Sequence, residues 1–193
     1  MTELEPSIYC PSKSPGHLEL DPFEYPSKDI NIHYLLAFTP YTEPVISYDL
    51  SDLPHLTSAS EGFSQPATHP PLQQLTIVHP LFMWNVEVSP SSAPGAYVTV
   101  NDVLSTLHYE LTMGVDPAHY ADLPPAERQC VDNAYFYRCS QIQDVNQRAI
   151  AKARGVIKLD FLASQTHFMG LSGTTNGLDI WELNVSYPDT FRK

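Results

Sequence analysis

Glycine is scarce in this chain of 193 residues, which holds 8 Gly beside 18 Pro. Because proline fixes φ while glycine frees it, this balance favours rigid, extended connections over flexible loops. The sequence contains no G-x-G-x-x-G, no P-loop, no G-x-S-x-G and no H-E-x-x-H motif. The glycine-framed segment SGTTNG at 172–177 lacks a lysine and a following helix, so it predicts a turn between two strands.

Basic residues are also few, since 10 Lys and Arg stand against 22 Asp and Glu for a net charge of -12. Phosphate backbones and anionic lipid surfaces repel such a chain, so we expect no nucleic-acid partner and no membrane partner. No run comes near the roughly 18 apolar residues of a membrane-spanning helix. The start, MTELEPSIYC, lacks the basic and apolar regions of a secretory signal. These features predict a cytoplasmic protein.

Cysteine is limited to Cys10, Cys130 and Cys139. An odd number of cysteines without an export signal indicates free thiols in a reducing compartment. No C-x-x-C pair exists, which excludes a structural zinc knuckle. The sequence therefore gives no reason to expect a cofactor.

Hydrophobic residues are plentiful at 42%, with 8 Phe, 11 Tyr and 2 Trp, so the chain can build a core. Residues 1–29 contain five prolines among Ser, Glu and Asp and show no apolar period. They predict an extended or disordered tail whose few apolar side chains dock on the domain or on a partner. We expect a single domain over 30–187 and a short C-terminal tail over 188–193.

Within the domain, the spacing of apolar residues changes from every second residue, as in strands, to every 3.6 residues, as in helices, and then back to every second residue. Thr99 and Asp102 resemble a capping box, Pro124-Pro125 suits a helix start, and Asp144 opens a third helix. The pattern predicts an α+β fold, with a mostly antiparallel sheet packed against about three helices in the order strands, helices, strands. The predicted strands are 45–50, 75–80, 84–88, 156–163 and 179–186, and the second and third of them form a hairpin. The first predicted helix begins after Thr99 and ends at Gly114. The second runs from 124 to about 139, and the third from 144 to 155.

Several segments together resemble a family that is known from mushroom-forming basidiomycete fungi and has no assigned function. These are THPPLQQLTIVHP, VTVNDVLSTLHYEL, a helix ending in YRC, GVIKLDFLASQTHFMGL and IWELNV. The resemblance extends over residues from about 33 to 186. The specific part is the pattern G-V-x-x-x-D-F-L-x-x-x-T-x-F-x-G-L at Gly155–Leu171. The resemblance implies a compact α+β domain, often behind a disordered N-terminal region. It supplies no activity, cofactor or catalytic residue.

Histidines are the best candidates for chemistry. His79 lies on the core face of its predicted strand, and His167 follows the strand that carries Asp160. If these strands are neighbours, the three side chains meet at one end of the sheet, where they suit a divalent metal or a general base. His69, like His79, precedes a proline and is a further metal candidate. The alternative, that each histidine packs separately, is favoured because no pair has helical i, i+4 spacing.

Asp160 has two interpretations, because it interrupts an otherwise apolar segment. In the first, it faces solvent beside Lys158 or an adjacent-strand partner, in an ion pair worth less than about 1 kcal/mol. In the second, it is buried against Arg138, which ends the apolar stripe of the second helix, so that the pair ties helix to sheet. The sequence leaves both open.

Aromatic side chains lie on several faces of the first two helices, and only some of them can be core. Tyr109, Tyr135 and Tyr137 are therefore candidate ligand-binding residues together with Arg138, the alternative being ordinary core and half-buried tyrosines.

These features favour a non-catalytic binding or interaction module with a protein or small-molecule partner. The competing hypothesis is a small metabolite enzyme with a metal or His/Asp acid–base site. The sequence specifies neither the ligand nor the oligomeric state. Its sharpest structural prediction is that Phe161, Trp181 and Leu183 are core residues while Glu87 and Glu182 face outward.

Overall fold

The computed structural model describes residues 30–52, 61–92 and 95–188. The predicted N-terminal tail, 1–29, lies outside these ranges. So does all of the predicted C-terminal tail except Pro188. Within the described residues, no helix has both the length and the apolar character that crossing a membrane requires.

A four-stranded sheet forms the centre of the domain, in the order β4–β3–β6–β5. Its strands are β3 (Leu75–Val78), β4 (Val86–Val88), β5 (His167–Gly173) and β6 (Ile180–Ser186). β3 runs parallel to β6, while the β3–β4 and β5–β6 pairs are antiparallel. Two shorter strands, β1 (Asn31–Ile32) and β2 (Thr68–His69), form a separate antiparallel pair.

Alternation of side chains sets the inner face of the sheet. Leu75 and Ile77 of β3 face the core, as do Trp181 and Leu183 of β6, whereas Glu87 of β4 is exposed. The predicted hairpin of β3 and β4 is confirmed, as is the burial of Trp181 and Leu183.

Four α-helices follow β4: α1 (Val100–Thr112), α2 (Pro117–Ala121), α3 (Pro125–Gln141) and α4 (Val145–Arg154). The capping box of α1 is confirmed, because Thr99 Oγ1 accepts the Asp102 N–H while the Asp102 carboxylate accepts the Thr99 N–H at 2.8 Å. Asp144 caps α4 through the Gln147 N–H. The α+β class and the order of its elements are thus confirmed, while α2 and β5 have no counterpart among the predicted elements.

The predicted strand at 45–50 is wrong. Tyr48 and Leu50 are buried on one face as expected, but the segment meets β5 through a single bridge between Asp49 and His167. The chain turns at once, because Asp49 Oδ1 accepts the N–H and the hydroxyl of Ser51. This side-chain turn competes with further strand pairing.

The predicted strand at 156–163 is also wrong, because Lys158–Leu162 form a 3₁₀ helix. The Asp160 carboxylate accepts the Ile157 N–H at 2.9 Å and so caps this helical turn, where an extended strand was expected. Leu159, Phe161 and Leu162 are all buried, so burial does not alternate here. The core position predicted for Phe161 is right, although it arises from a helical turn.

Candidate functional site

A cleft of about 580 Å³ opens where the C-terminal half of α3 meets the 3₁₀ helix and the turn at 49–52. This volume falls within the range of small-molecule sites in proteins. Its floor is apolar and its rim carries carboxylates, hydroxyls, an amide and a guanidinium. The lining residues are Asp49, Ser51, Asp52, Thr112, Ala134, Tyr137, Arg138, Gln141, Ile142, Ile157, Leu159, Asp160, Ser164, Thr166 and Pro188.

Arg138 and Asp160 form a bidentate ion pair in the cleft. Arg138 Nε and Nη2 each donate to one carboxylate oxygen of Asp160 at 2.8 Å, and Nη2 also donates to the Gly155 carbonyl at 3.1 Å. Asp160 is 2% exposed and Arg138 is 20% exposed. Of the two interpretations of Asp160, the structure therefore has the buried pair with Arg138.

The pair is fixed from both sides by local structure. Arg138 lies in the last turn of α3, and its guanidinium stands over the ring of Tyr135, 5.6 Å from the centroid. Burial alone would lower the pKa of Arg138, but the hydrogen bond and charge of Asp160 outweigh burial and raise it. Charge-assisted, bidentate hydrogen bonds therefore hold the two side chains in one geometry.

A second carboxylate organises the opposite rim of the cleft. Asp49 Oδ2 accepts the Thr166 hydroxyl at 2.9 Å, and Asp49 Oδ1 accepts the Ser51 hydroxyl at 2.6 Å. Behind it, burial and the charges of Asp52 and Asp49 raise the pKa of Tyr48, whose hydroxyl donates to the Asp52 carbonyl. Asp52 itself is exposed at the rim.

One carboxylate holds two hydroxyls at the cleft. The hydroxyls of Ser51 and Thr166 both donate to Asp49, and the described residues that line the cleft include no histidine and no cysteine.

Each member of the predicted histidine site has contacts of its own. His79 follows β3, packs on Phe82 with ring centroids 5.0 Å apart, and accepts the Leu81 N–H on Nδ1. His167 starts β5 opposite Ser186. No hydrogen bond or ion pair among the described residues joins His79, His167 and Asp160 to one another.

The metal candidates are similarly dispersed over the fold. His69 ends β2 opposite Asn31, at an exposed position before a cis peptide bond to Pro70. Burial lowers the pKa of His79, although the nearby Glu182 charge opposes that shift. The described ranges contain no group of three or more His, Cys, Asp or Glu side chains placed to hold a metal ion.

The aromatic candidates divide between the cleft and the surface. Tyr137 and Arg138 line the cleft, and Tyr137 is 37% exposed. Tyr135 lies behind Arg138 and donates its hydroxyl to the Lys152 carbonyl at 3.2 Å. Tyr109 is exposed on α1 and is not among the residues that line the cleft.

Sequence reasoning missed the acidic rim formed by Asp49, Ser51, Asp52 and Thr166. Asp49 and Asp52 occur in SYDLSD, a segment dense in residues that hydrogen-bond their own backbone, and that density was the available signal. Assigning 45–50 to a strand concealed it. Thr166 belongs to the pattern at Gly155–Leu171 but carries no chemical signature by itself.

The fold and the cleft define an α+β domain with a polar, acidic-rimmed site where a helix end meets a loop. The chain belongs to a family of unknown function, DUF6699, which matches residues 33–177. The match includes every lining residue of the cleft except Pro188. No curated protein and no solved structure matches the chain.

Proposed function

We propose that this chain is a non-catalytic binding module and that the cleft between α3 and the turn at 49–52 is its ligand site. The observation that carries the proposal is the cleft itself, of about 580 Å³, with an apolar floor and polar groups on its rim. Ligand sites combine these two features, because apolar area supplies affinity and a few placed polar groups supply orientation.

Preorganisation supports this reading. Asp160 holds Arg138 by two hydrogen bonds, and Asp49 holds Thr166 and Ser51. A site whose polar groups are already ordered loses less entropy when a ligand binds. The competing enzyme hypothesis receives less support, because His79 and His167 are not among the residues that line the cleft.

The proposed setting is intracellular. Cys130 and Cys139 are free thiols in the structure, and Cys139 is buried. Free thiols are typical of reducing compartments, where a binding module works without disulfides.

Blocking the cleft tests the proposal. Gln141 lies on the exposed side of α3 and lines the cleft, so Gln141→Trp should fill the mouth without disturbing the core. We expect fragments from a chemically diverse library to shift the ¹H–¹⁵N resonances of cleft residues in the wild-type protein. Gln141→Trp should abolish those shifts.

The matched control is Gln129→Trp, which makes the same substitution at an exposed position of α3 outside the cleft. It should leave the fragment-induced shifts intact. A library that perturbs no cleft resonance, or fragments that bind Gln141→Trp as well as wild type, would overturn the proposal.

A further inference from the structure

The charges around the cleft are unequal. Three carboxylates, those of Asp49, Asp52 and Asp160, line it together with the single guanidinium of Arg138. The whole chain, these residues included, carries a net charge of -12, and a net negative charge steers cationic partners towards the protein.

Arg138 is a weak receptor for an anion, because its charge is already compensated. Asp160 accepts hydrogen bonds from Nε and Nη2, and the Gly155 carbonyl accepts a further bond from Nη2. Asp160 is fixed in this place, since it is 2% exposed and also caps the 3₁₀ helix through the Ile157 N–H. A ligand carboxylate at the remaining Nη1 donors would lie near the Asp160 carboxylate, and the two like charges would repel each other.

The remaining negative charge lies on one turn. The Asp52 N–H donates to the Asp49 carbonyl at 3.0 Å, which places the two residues at the two ends of a tight turn on the rim. Asp49 accepts hydrogen bonds through both of its carboxylate oxygens, and the Asp52 side chain makes no hydrogen bond or ion pair with another described residue. Within the described ranges, the acceptor at Asp52 is therefore open to a cationic group.

The floor below this turn is apolar. Ala134, Ile157 and Leu159 are buried and line the cleft, and Ile142 adds a half-buried wall. A charged head at the rim with a hydrocarbon stem below it is the arrangement that lysine and arginine side chains adopt on protein surfaces. The acidic turn and the apolar floor thus select the same kind of group.

We infer that the cleft takes a basic segment of a protein partner, with a lysine or arginine head at Asp49 and Asp52 and its stem along the apolar floor. This inference rests on the proposed function, since it names the ligand chemistry of the same cleft. The cleft volume exceeds what one side chain fills, so residues flanking the basic one occupy the rest.

Binding of short labelled peptides, followed by fluorescence anisotropy, tests the inference. The probe is a peptide with one central arginine between leucine and alanine residues, and its two controls carry citrulline or glutamate in place of arginine. We expect the arginine peptide to bind at least about tenfold more tightly than either control, the scale of one charge-assisted hydrogen bond. Affinity should fall as NaCl rises to about 0.5 M.

Two variants locate the interaction. Asp52→Asn should weaken binding of the arginine peptide by about tenfold, because it removes the negative charge at the rim while leaving the Arg138–Asp160 pair untouched. Glu127→Gln on α3 removes the same amount of charge from an exposed position outside the cleft, so it should change affinity by less than about twofold.

Each other outcome overturns the inference. Equal binding of the citrulline or glutamate peptide, or equal losses in Asp52→Asn and Glu127→Gln, would remove the charge argument. Binding of spermidine without the arginine peptide would assign the cleft to a free amine instead of a protein side chain. If no peptide binds while neutral or anionic fragments still shift cleft resonances, the binding module stands and only this inference fails.

Discussion

Asp160 joins three parts of the fold through one carboxylate. It caps the 3₁₀ helix through the Ile157 N–H, holds Arg138 at the end of α3, and lines the cleft. Sequence reasoning reached the pair with Arg138 only as one of two alternatives, because it placed Asp160 on a strand whose pleat turned the carboxylate away from the core. The Asp160 carboxylate caps a helical turn, and this turn stands where the strand at 156–163 was predicted.

Asp160→Asn is expected to destabilise the domain by about 3–5 kcal/mol, the usual cost of leaving one partner of a buried pair uncompensated. The amide retains the shape of the carboxylate but not its charge, so Arg138 keeps a largely buried positive charge without a counterion. Urea unfolding followed by circular dichroism measures the change.

Glu110→Gln is the control, since it breaks the other ion pair that holds the 3₁₀ helix, between Glu110 and Lys158. Both of those side chains are more exposed, at 31% and 21%, so the loss should be below about 1 kcal/mol. Equal losses in the two variants would contradict the structural weight given to the Arg138–Asp160 pair.

His79 should make stability depend on pH. Burial lowers its pKa from the ordinary value of 6.5, and Nδ1 accepts the Leu81 N–H, which requires the unprotonated nitrogen. The unfolded chain therefore binds more protons, so the free energy of unfolding should fall as pH drops below about 6.5 and level off below the folded pKa. Urea midpoints measured from about pH 7.5 to pH 5 follow this decline.

His79→Gln should flatten that decline, because glutamine can accept the Leu81 N–H but does not titrate. The exposed His119→Gln variant removes a histidine elsewhere and should keep the wild-type slope. An unchanged slope in His79→Gln would mean that other groups govern the response to acid.

At the scale of elements, the segment Gly155–Leu171 has a structural role at nearly every position of its pattern. Gly155 ends α4 with φ of 78° and offers its carbonyl to Arg138, while Thr166 fixes Asp49. Phe161, Leu162, Phe168 and Leu171 are buried. The pattern therefore specifies packing and the walls of the cleft.

Gly170→Ala should destabilise the domain strongly. Gly170 has φ of 120°, and an added Cβ would lie 2.6 Å from the Phe38 nitrogen and 2.7 Å from its Cα, both backbone atoms. Here the chain at 36–38 runs against β5, with the Leu171 N–H donating to the Leu36 carbonyl and the Phe38 N–H to the Leu171 carbonyl. Residues with a Cβ rarely adopt this backbone φ, so conformational strain adds to the steric clash.

The control is Gly114→Ala, where a Cβ meets nothing within 4 Å and φ is not in the left-handed region. We expect a fall in melting temperature for Gly170→Ala and almost none for Gly114→Ala, as measured by differential scanning calorimetry. A thermally unchanged Gly170→Ala would show that the chain at 36–38 moves away at little cost.

Elements with local signals were predictable, and those decided by tertiary contacts were not. The capping box at Thr99, the proline start of α3 and the cap at Asp144 each involve neighbours in sequence, and all three helices formed as predicted. The strand predicted at 156–163 was wrong because a short apolar run does not distinguish a strand from a short helical turn when the segment is buried on both faces. β5 escaped prediction because a bulge between Phe168 and Gly170 interrupts its alternation.

The residues of the candidate site that have a local sequence signal were predictable, and the long-range contact at its rim was not. Arg138 was identifiable because it ends the apolar stripe of its helix, Tyr137 because it is one of several helical aromatics that cannot all be core, and Asp160 because it is a charge in an apolar segment. Asp49 reaches Thr166 across 117 positions of sequence, a contact that no local pattern encodes. Convergence of His79, His167 and Asp160 was inferred from strands, one of which does not exist.

At the scale of the whole molecule, the interior consists of two apolar clusters connected by aromatic rings. The main cluster lies between the sheet and α1, and the smaller one contains Leu123, Val131 and Phe161. Phe82 and Trp84 pack against both clusters, and Trp84 meets Phe161 edge-on at 5.1 Å between centroids. Phe161 therefore attaches α3 and its side of the cleft to the rest of the domain.

Truncating the large core residues should show that both clusters are needed for folding. Phe161 is 4% exposed and Trp181 is 6% exposed, so Phe161→Ala and Trp181→Ala should each cost about 3–5 kcal/mol through lost transfer energy and the cavity left behind. A domain of this size is stable by only about 5–15 kcal/mol, so either variant should melt far below the wild type or fail to accumulate in soluble form.

Glu87→Ala and Glu182→Ala provide the controls, because Glu87 is exposed and Glu182 lies on the opposite face of β6 from its neighbour Trp181. A shift of one residue in the register of β6 would exchange the effects at 181 and 182. A folded Trp181→Ala protein beside an unfolded Glu182→Ala protein, judged by near-ultraviolet circular dichroism, would therefore show that the faces of the sheet are reversed.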